Sequence, residues 1–240
     1  MAGRFDLILF DADGTLFDFA TSERLAFANC LTTFVGAGDH EPAYRQYCEV
    51  SARLWQRFEQ GSIQETELRV GRWLELGQRC GYTWSALEVA DAYLLELSRH
   101  GHLIDGALEV CRTLGEQRPL GIVSNGFQRV QTARLAATAL SQHIDFVVTS
   151  ELAGVAKPAR AVFARALELG AELLQARTPH GQLGAPRRVL MVGDSLVADI
   201  AGGRAMGFTT CWFNPMALPA PAEPADYTIR QLSELLSIVC

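Results

Sequence analysis

Two carboxylates near the amino terminus have the types and spacing to do chemistry. Asp11 and Asp13 directly follow the apolar run Leu7–Phe10, and Gly14 comes next. A short apolar run that ends in a turn signal is typical of a strand buried on both faces of a parallel sheet. In extended backbone, carboxylates at positions i and i+2 leave the same face about 7 Å apart. One could then touch a reacting group while the other handles a proton or a metal ion.

A simple β-turn, in which the two Asp side chains accept hydrogen bonds from local N–H groups, is the alternative explanation for this stretch. Further polar segments weigh against it, because each follows a predicted strand or lies in a nearby crossover loop. They are Ser124-Asn125-Gly126, Lys157-Pro158, and Gly193-Asp194 with Asp199 five residues after Asp194. Each segment also has an ordinary explanation, since Ser and Asn are favoured helix N-caps and loop lysines are usually solvated. Their common placement makes them informative.

The elements that must position these residues alternate between strands and helices. Strands are predicted at 7–10, 120–123, 144–149, 189–192, 209–213 and 227–229. This alternation predicts an α/β fold, with a Rossmann-like parallel sheet, right-handed crossovers and helices on both faces. Ligands bind at the carboxyl ends of the strands in such sheets. We therefore expect the polar segments to meet at one edge.

The region after the first strand has a different character. From about Thr21 to Leu97 the apolar residues follow a helical period, with almost no strand signal. This predicts an all-helical insert beside the sheet. The predicted domains are a discontinuous core, 1–17 and 100–240, and a helical cap domain, 18–99.

Three local predictions can be compared with the structure. Ser62 is predicted to N-cap a helix, with Glu65 three residues later in the capping-box position. Asp105 is predicted to N-cap a helix from about Gly106 to Gln117. Residues 173–188 are polar, contain Gly and Pro, and are predicted to form a surface excursion.

Composition narrows the functional classes. The chain has 240 residues, of which 49% are hydrophobic and 20% charged, so a sizeable core is expected. A net charge of -6 disfavours binding to nucleic-acid polymers or anionic membranes, although a local positive site could still hold a phosphorylated small molecule. No apolar run has transmembrane length, and the first is too short for a signal peptide. The six cysteines are scattered without a C-x-x-C pair, which indicates a reducing compartment, the cytoplasm.

The polar residue types favour phosphoryl transfer. Three carboxylates with a lysine and a serine are a poor set for acyl transfer, which needs a His or Cys partner. Carboxylates suit Mg²⁺, which prefers hard oxygen ligands. A carboxylate can also attack phosphorus to give an aspartyl-phosphate, while a metal ion and a lysine offset the charge repulsion.

The ordered segments resemble the four motifs of the haloacid dehalogenase superfamily. They are Asp11-Ala12-Asp13-Gly14-Thr15, Ser124-Asn125-Gly126, Lys157-Pro158, and Gly193-Asp194 with Asp199. The resemblance extends along essentially the whole chain, including a helical cap inserted after the first motif. The stretches FDADGTLFDF, GIVSNGF, SELAGVAKP and VLMVGDSLVADIAGG are most similar to the 5'-nucleotidase branch that hydrolyses pyrimidine nucleoside monophosphates, including noncanonical ones.

The resemblance implies a role for each motif residue. Asp11 would be the nucleophile and a Mg²⁺ ligand. Asp13 would protonate the leaving oxygen and then activate water, with its main-chain carbonyl on the metal. Asp194 would complete the metal site. Lys157 would neutralise charge on the phosphate and on the nucleophile.

The remaining motif residues would support these groups. Ser124 would hydrogen-bond the phosphoryl group, with Asn125 and Gly126 assisting. Asp199 would lie behind the metal ligands and reach them through water or Lys157; the alternative for it is an exposed helix residue. The cap would close over the site and read the leaving group.

The resemblance leaves several activities open. Dehalogenation is disfavoured, because the position of Asp13 resembles one that holds a Tyr in haloacid dehalogenases proper, where the halide leaving group needs no proton. An alkoxide leaving group does need a proton, which Asp13 can give. A phosphoglycolate or sugar-phosphate phosphatase, or a phosphosugar mutase, would use the same residues. A non-catalytic binding protein is expected to have lost some of them. The expected partner is a small phosphorylated metabolite bound by a monomer or homodimer.

Overall fold

A single parallel sheet organises the larger part of the molecule, a computed structural model that describes residues 4–177 and 186–239. Within these ranges its strands are β1 Leu7–Phe10, β2 Leu120–Ser124, β3 Phe146–Thr149, β4 Val189–Gly193, β5 Thr209–Phe213 and β6 Tyr227–Ile229. They lie in the order β3-β2-β1-β4-β5-β6, and every neighbouring pair is parallel. The predicted Rossmann-like sheet is confirmed.

Strand β1 is central because its apolar run can be buried on both faces. Ile8 and Phe10 belong to one core cluster, which also contains Val110 of the helix Ala107–Gly115. Leu7 and Leu9 belong to a second cluster on the other face. Successive side chains of a strand point to opposite faces, so four consecutive apolar residues serve both layers.

Helices cover the sheet and form a separate bundle. The helical unit contains α1 Phe19–Val35, α2 Glu41–Glu59, α3 Glu65–Cys80 and α4 Ala86–Ser98. The sheet unit contains α5 Ala107–Gly115, α6 Gln128–Ala136, α7 Ser150–Ala153, α8 Arg160–Arg177, α9 Ala201–Ala205 and α10 Leu235–Val239. A π-helical turn, Leu196–Ile200, precedes α9, and 3₁₀ turns lie at Ala139–Gln142 and Leu232–Glu234.

The described chain separates into two compact units. The sheet unit consists of the residues up to Asp18 and those from Leu103 onward, and the helical unit is Phe19–His102. No helix among the described residues is long and apolar enough to cross a membrane. The cysteines of the described residues are free thiols.

An aromatic cluster fills the interior of the helical unit. Trp73 is fully buried, and its ring centroid lies 5.0 Å from the rings of Tyr47 and Tyr93 and 5.9 Å from that of Phe27. Aromatic rings at these separations add favourable edge and face interactions to the burial of their apolar area. The cluster is therefore a stabilising core of this unit.

Two predicted helix starts are wrong by one or two residues. Helix α3 begins after Gln64, whose N–H donates to the Glu67 carboxylate, whereas the Ser62 hydroxyl donates back to a main-chain carbonyl. Helix α5 begins after Gly106, which has φ +82°, so Asp105 is not its N-cap. Before α3 both Ser62 and Gln64 are polar and either could serve as a cap, whereas before α5 a glycine in the left-handed conformation takes the N-cap position.

The predicted excursion at 173–188 is wrong in its first part. Helix α8 continues to Arg177 and so includes the first residues of that segment. Residues 178–185 of the predicted excursion lie outside the described residues. The exposed polar face of this helix accounts for the difference, because polar residues over a few positions resemble a loop.

Replacement of Trp73 tests the aromatic core. Trp73→Ala should lower the free energy of unfolding by about 3–5 kcal/mol, because a large buried ring is lost and a cavity remains. Leu74→Ala, at the next position of the same helix, removes a side chain that is 55% exposed and should change it by about 0.5 kcal/mol or less. Urea unfolding followed by far-UV circular dichroism measures both. Equal effects of the two variants would contradict this assignment of the core.

Candidate active site

A tight turn after β1 presents the two predicted carboxylates. The Phe17 N–H donates to the Ala12 carbonyl at 2.8 Å, and the Gly14 N–H donates to the Phe17 carbonyl at 2.9 Å. Gly14 has φ +86°, a backbone conformation that residues other than glycine rarely adopt. The turn places Asp11 at the buried end of the strand, and it leaves Asp13 partly accessible.

The ammonium of Lys157 lies at the centre of the site. Its Nζ donates to Asp11 Oδ1 at 2.6 Å, to Asp199 Oδ1 at 2.7 Å and to the Val123 carbonyl at 2.7 Å. The side chain is only 2% exposed, and these three contacts use all three N–H donors of the ammonium group. The two carboxylates raise the pKa of Lys157 despite its burial, which itself acts to lower it. The lysine is therefore a fixed positive charge beside Asp11.

Asn125 holds the main chain of this lysine. Its Oδ1 accepts from the Lys157 N–H at 2.7 Å, and its Nδ2 donates to the Lys157 carbonyl at 3.2 Å. The Asn125 carbonyl in turn accepts from the Ser150 hydroxyl at 3.0 Å. The described contacts of the Asn125 amide thus serve to position Lys157.

The end of β4 supplies two more carboxylates. Asp199, in the π-helical turn, accepts from the Ser195 N–H at 3.0 Å through its second oxygen. A Cβ on Gly193 would lie 2.2 Å from Asp199 Oδ2, so the carboxylate occupies the space that the missing side chain leaves. Trp212 of β5 donates from Nε1 to the Asp194 carbonyl at 2.9 Å. Strand, π-helical turn and neighbouring strand together fix both acids.

Three carboxylates converge on one point. Single oxygens of Asp11, Asp194 and Asp199 all lie within 4.8 Å of one another. Burial, followed by the neighbouring acids, raises the pKa of Asp11 well above its usual value, although Lys157 opposes this. Burial against protein atoms and the charge of Asp199 raise the pKa of Asp194 to about 6, even though that residue lies at the exposed edge. Excess negative charge on hard oxygen donors fits a divalent cation such as Mg²⁺.

The Asp13 carboxylate lies outside this cluster and turns toward helix α6. Its Oδ2 accepts from Gln131 Nε2, and its Oδ1 accepts from the Arg134 guanidinium. The same Gln131 Nε2 donates to the Ser124 hydroxyl at 3.1 Å. The Ser124 oxygen also accepts from the Gly126 N–H at 3.0 Å. Asp13 and Ser124 are therefore connected through one glutamine.

The structure brings the sequence-predicted residues together at the carboxyl edge of the sheet. Asp199 contacts Lys157 directly, and its carboxylate lies beside those of Asp11 and Asp194. Sequence reasoning missed Gln131 and Arg134. The available signal was two hydrogen-bonding residues at i and i+3 on the helix after the Ser-Asn-Gly turn. Apolar periodicity does not mark such residues, because it follows hydrophobic positions.

Comparisons with known proteins identify the family to which the chain is similar. Residues 5–207 match the family described as haloacid dehalogenase-like hydrolase. The chain is 32% identical to the pyrimidine 5'-nucleotidase YjjG of Escherichia coli over 99% of both chains. It is 29% identical to the pyrimidine 5'-nucleotidase PynA of Streptococcus pneumoniae, over 97% of this chain and 94% of the relative. The crystal structure of the putative HAD-hydrolase YfnB of Bacillus subtilis, bound to magnesium, superposes with a TM-score of 0.82 at 31% identity and 98% coverage of both chains.

The raised pKa of Asp194 predicts how stability changes with pH. Between pH 3.8 and about 6 the folded protein holds this proton while the unfolded chain loses it, so stability contributed by the group falls as pH rises. In buffer free of divalent cations, Asp194→Asn should therefore be more stable than the wild type at pH 7.5. The difference should shrink as pH falls through 6 toward 4. Thermal unfolding of both proteins across this pH range measures the difference in stability. A difference that does not change with pH would contradict a raised pKa of Asp194.

Proposed function

We propose that this chain, which belongs to the haloacid dehalogenase-like hydrolase family, is a Mg²⁺-dependent phosphomonoesterase that works through an aspartyl-phosphate. Its proposed substrates are pyrimidine nucleoside 5'-monophosphates. The observation that carries the proposal is the placement of the Lys157 ammonium between Asp11 and Asp199, beside the third carboxylate of Asp194.

Asp11 is the proposed nucleophile. Lys157 binds its Oδ1, and no described residue donates a hydrogen bond to its Oδ2, which is left to attack phosphorus. Burial favours the neutral carboxyl, so the positive charge of Lys157 is needed to keep the attacking group ionised. We assign the metal ligands to Asp11, Asp194 and the main-chain carbonyl of Asp13. When bound, Mg²⁺ supplies positive charge that offsets the repulsion between carboxylate and phosphate.

Ser124 is the proposed ligand of the phosphoryl group. Its oxygen accepts from the Gly126 N–H and from Gln131 Nε2, so the hydroxyl proton remains to be donated. A hydroxyl whose acceptor positions are filled directs its proton outward, toward an equatorial phosphoryl oxygen. Asn125 contributes through its hold on Lys157.

Asp13 is the proposed acid and base. In the first step a bond forms between Asp11 and phosphorus, the ester P–O bond breaks, and Asp13 gives its proton to the leaving alkoxide. In the second step water attacks phosphorus and gives a proton to Asp13. The bond to Asp11 then breaks and inorganic phosphate leaves, so that Asp11 is again a carboxylate and Asp13 again carries its proton. Asp199 holds Lys157 in place throughout.

The substrate class is supported by the relatives named as pyrimidine 5'-nucleotidases, which align along nearly the whole chain. A panel of UMP, CMP and dTMP against AMP, GMP, phosphoglycolate and sugar phosphates should give the highest kcat/KM with the pyrimidine nucleotides. Preference for phosphoglycolate or a sugar phosphate would replace the substrate class and leave the chemistry intact. No turnover of any phosphoester in the presence of Mg²⁺ would favour a non-catalytic protein.

Replacement of Asp11 tests the nucleophile. Asp11→Asn should lower kcat by on the order of 10⁴-fold or more, because the attacking oxygen is lost. EDTA should abolish wild-type activity, and added Mg²⁺ should restore it. Asp6→Asn is the matched control, since Asp6 precedes the opposite end of β1 and binds Arg188; its kcat should stay at the wild-type level. Activity that survives Asp11→Asn or EDTA would overturn the mechanism.

Replacement of Asp13 separates the two steps. With p-nitrophenyl phosphate the leaving group needs no proton, so Asp13→Asn should release a burst of about one equivalent of nitrophenolate per site. Later turnover should be about 10²–10⁴-fold slower than in the wild type, because water is no longer activated. Rapid-mixing absorbance records both phases. An unchanged steady-state rate would remove Asp13 from water activation.

A further inference from the structure

Two side chains of helix α6 hold the carboxylate of Asp13 from one side. Arg134 donates to its Oδ1 and Gln131 donates to its Oδ2. The two donors are three positions apart, so they project from the same face of the helix. With each oxygen bound by a different donor, the carboxylate group cannot rotate without breaking at least one of these bonds.

The Arg134 guanidinium, which binds Asp13, is itself fixed in place by its surroundings. Its side chain is fully buried, and the guanidinium carbon lies 4.4 Å from the ring centroid of Phe17, which is also buried. A buried cation needs acceptors for its N–H groups, and an aromatic face adds further attraction. Phe17 closes the same turn that carries Asp13. The arginine is thus fixed against the turn whose carboxylate it binds.

Gln131 connects Asp13 to Ser124, the residue proposed to bind the phosphoryl group. Its Nε2 contacts both Asp13 Oδ2 and the Ser124 hydroxyl. A Cβ on Gly126 would lie 2.3 Å from this nitrogen, so the amide occupies the space above the glycine of the Ser-Asn-Gly turn. This close approach gives a physical reason for a glycine at that position.

Helix α6 is itself anchored at its first residue. The Gln128 N–H donates to the Glu151 carboxylate at 2.8 Å, and the Gln128 side-chain oxygen accepts from the Thr149 hydroxyl at 2.8 Å. Val130 and Leu135 bury the apolar part of the helix. The two donors therefore project from an element that is tied to the end of β3.

We propose that Gln131 and Arg134 are positioning residues that orient the Asp13 carboxylate for proton transfer to and from the reacting oxygens. The inference rests on the proposed function, since it assigns these residues to the acid and base of that reaction. Proton transfer depends on the direction in which the carboxylate presents its oxygen, and an error of about 1 Å in placement can cost about 10²-fold in rate. Both residues act through Asp13 and need not touch the substrate.

A double-mutant cycle tests whether these residues act through Asp13. Arg134→Met should lower kcat by about 10- to 100-fold and leave KM within about 3-fold, because orientation is lost while binding is kept. In the Asp13→Asn background the same change should lower kcat by less than about 3-fold, since the carboxylate it positions is gone. Arg134→Lys, which keeps the charge, should recover part of the loss. Gln131→Met should repeat the pattern with a smaller effect.

Other outcomes of the cycle would overturn the proposal. A full additional loss in the Asp13→Asn background would mean that Arg134 acts independently of Asp13. Wild-type or higher kcat in both Arg134→Met and Gln131→Met would mean that the contacts have no positioning role. If Arg134→Met does not fold, the cycle with Arg134→Lys and Gln131→Met decides the question.

Arg118→Met is the matched control. Arg118 is also a buried arginine of the sheet unit, but it precedes the amino end of β2, whereas the site lies at the carboxyl ends of the strands. Its loss should lower the melting temperature and leave kcat unchanged. If Arg118→Met and Arg134→Met lose equal kcat, a general loss of stability explains both effects and the proposal is wrong.

A structural readout separates this inference from the proposed function. In a crystal structure of Arg134→Met the Asp13 carboxylate should rotate away from α6, while Asp11 and Lys157 should keep their contact. An unmoved Asp13 would overturn the inference, whatever the activity. A wild-type protein that hydrolyses no phosphomonoester would sink the proposed function, but it would leave the measured orientation of Asp13 as an independent result.

Discussion

The buried ammonium of Lys157 is the constraint on which the rest of the site depends. A lysine removed from water is tolerated only when its charge and its three N–H donors are satisfied. Here the partners come from the end of β1, from β2 and from the π-helical turn after β4, and the lysine itself precedes α8. The sheet, with β1 between β2 and β4, brings those segments together. The strand order of the sheet is thus what allows this lysine to be buried.

The strands and the location of the site could be predicted because they depend on local patterns. Leu7–Phe10 is apolar throughout since both of its faces are buried, and the polar residues that follow β1, β2 and β4 mark the carboxyl edge. Helix ends were less predictable. The N-cap at Gln64 instead of Ser62 reflects several polar candidates in one stretch, and the extension of α8 to Arg177 reflects a polar, exposed helix face.

The partners of Asp13 illustrate what local patterns cannot reveal. Gln131 and Arg134 are 118 and 121 residues away along the chain, so their meeting with Asp13 depends on how β1 and β2 pair and on where α6 packs. Asn125 gives a second example. Sequence similarity suggested support for substrate binding, whereas its amide spans the main chain of Lys157. In both cases a polar side chain is devoted to orienting another one.

The spaces above three glycines have a consequence for protein engineering. At Gly14, Gly126 and Gly193 a methyl group would collide with Asp194, Gln131 and Asp199 respectively, each at 2.4 Å or less. Transferring these acidic side chains to another Rossmann-like protein would thus require more than copying the side chains themselves. The recipient backbone must also leave room for a carboxylate or amide group beside three glycines, two of them in turns and one at the end of a strand.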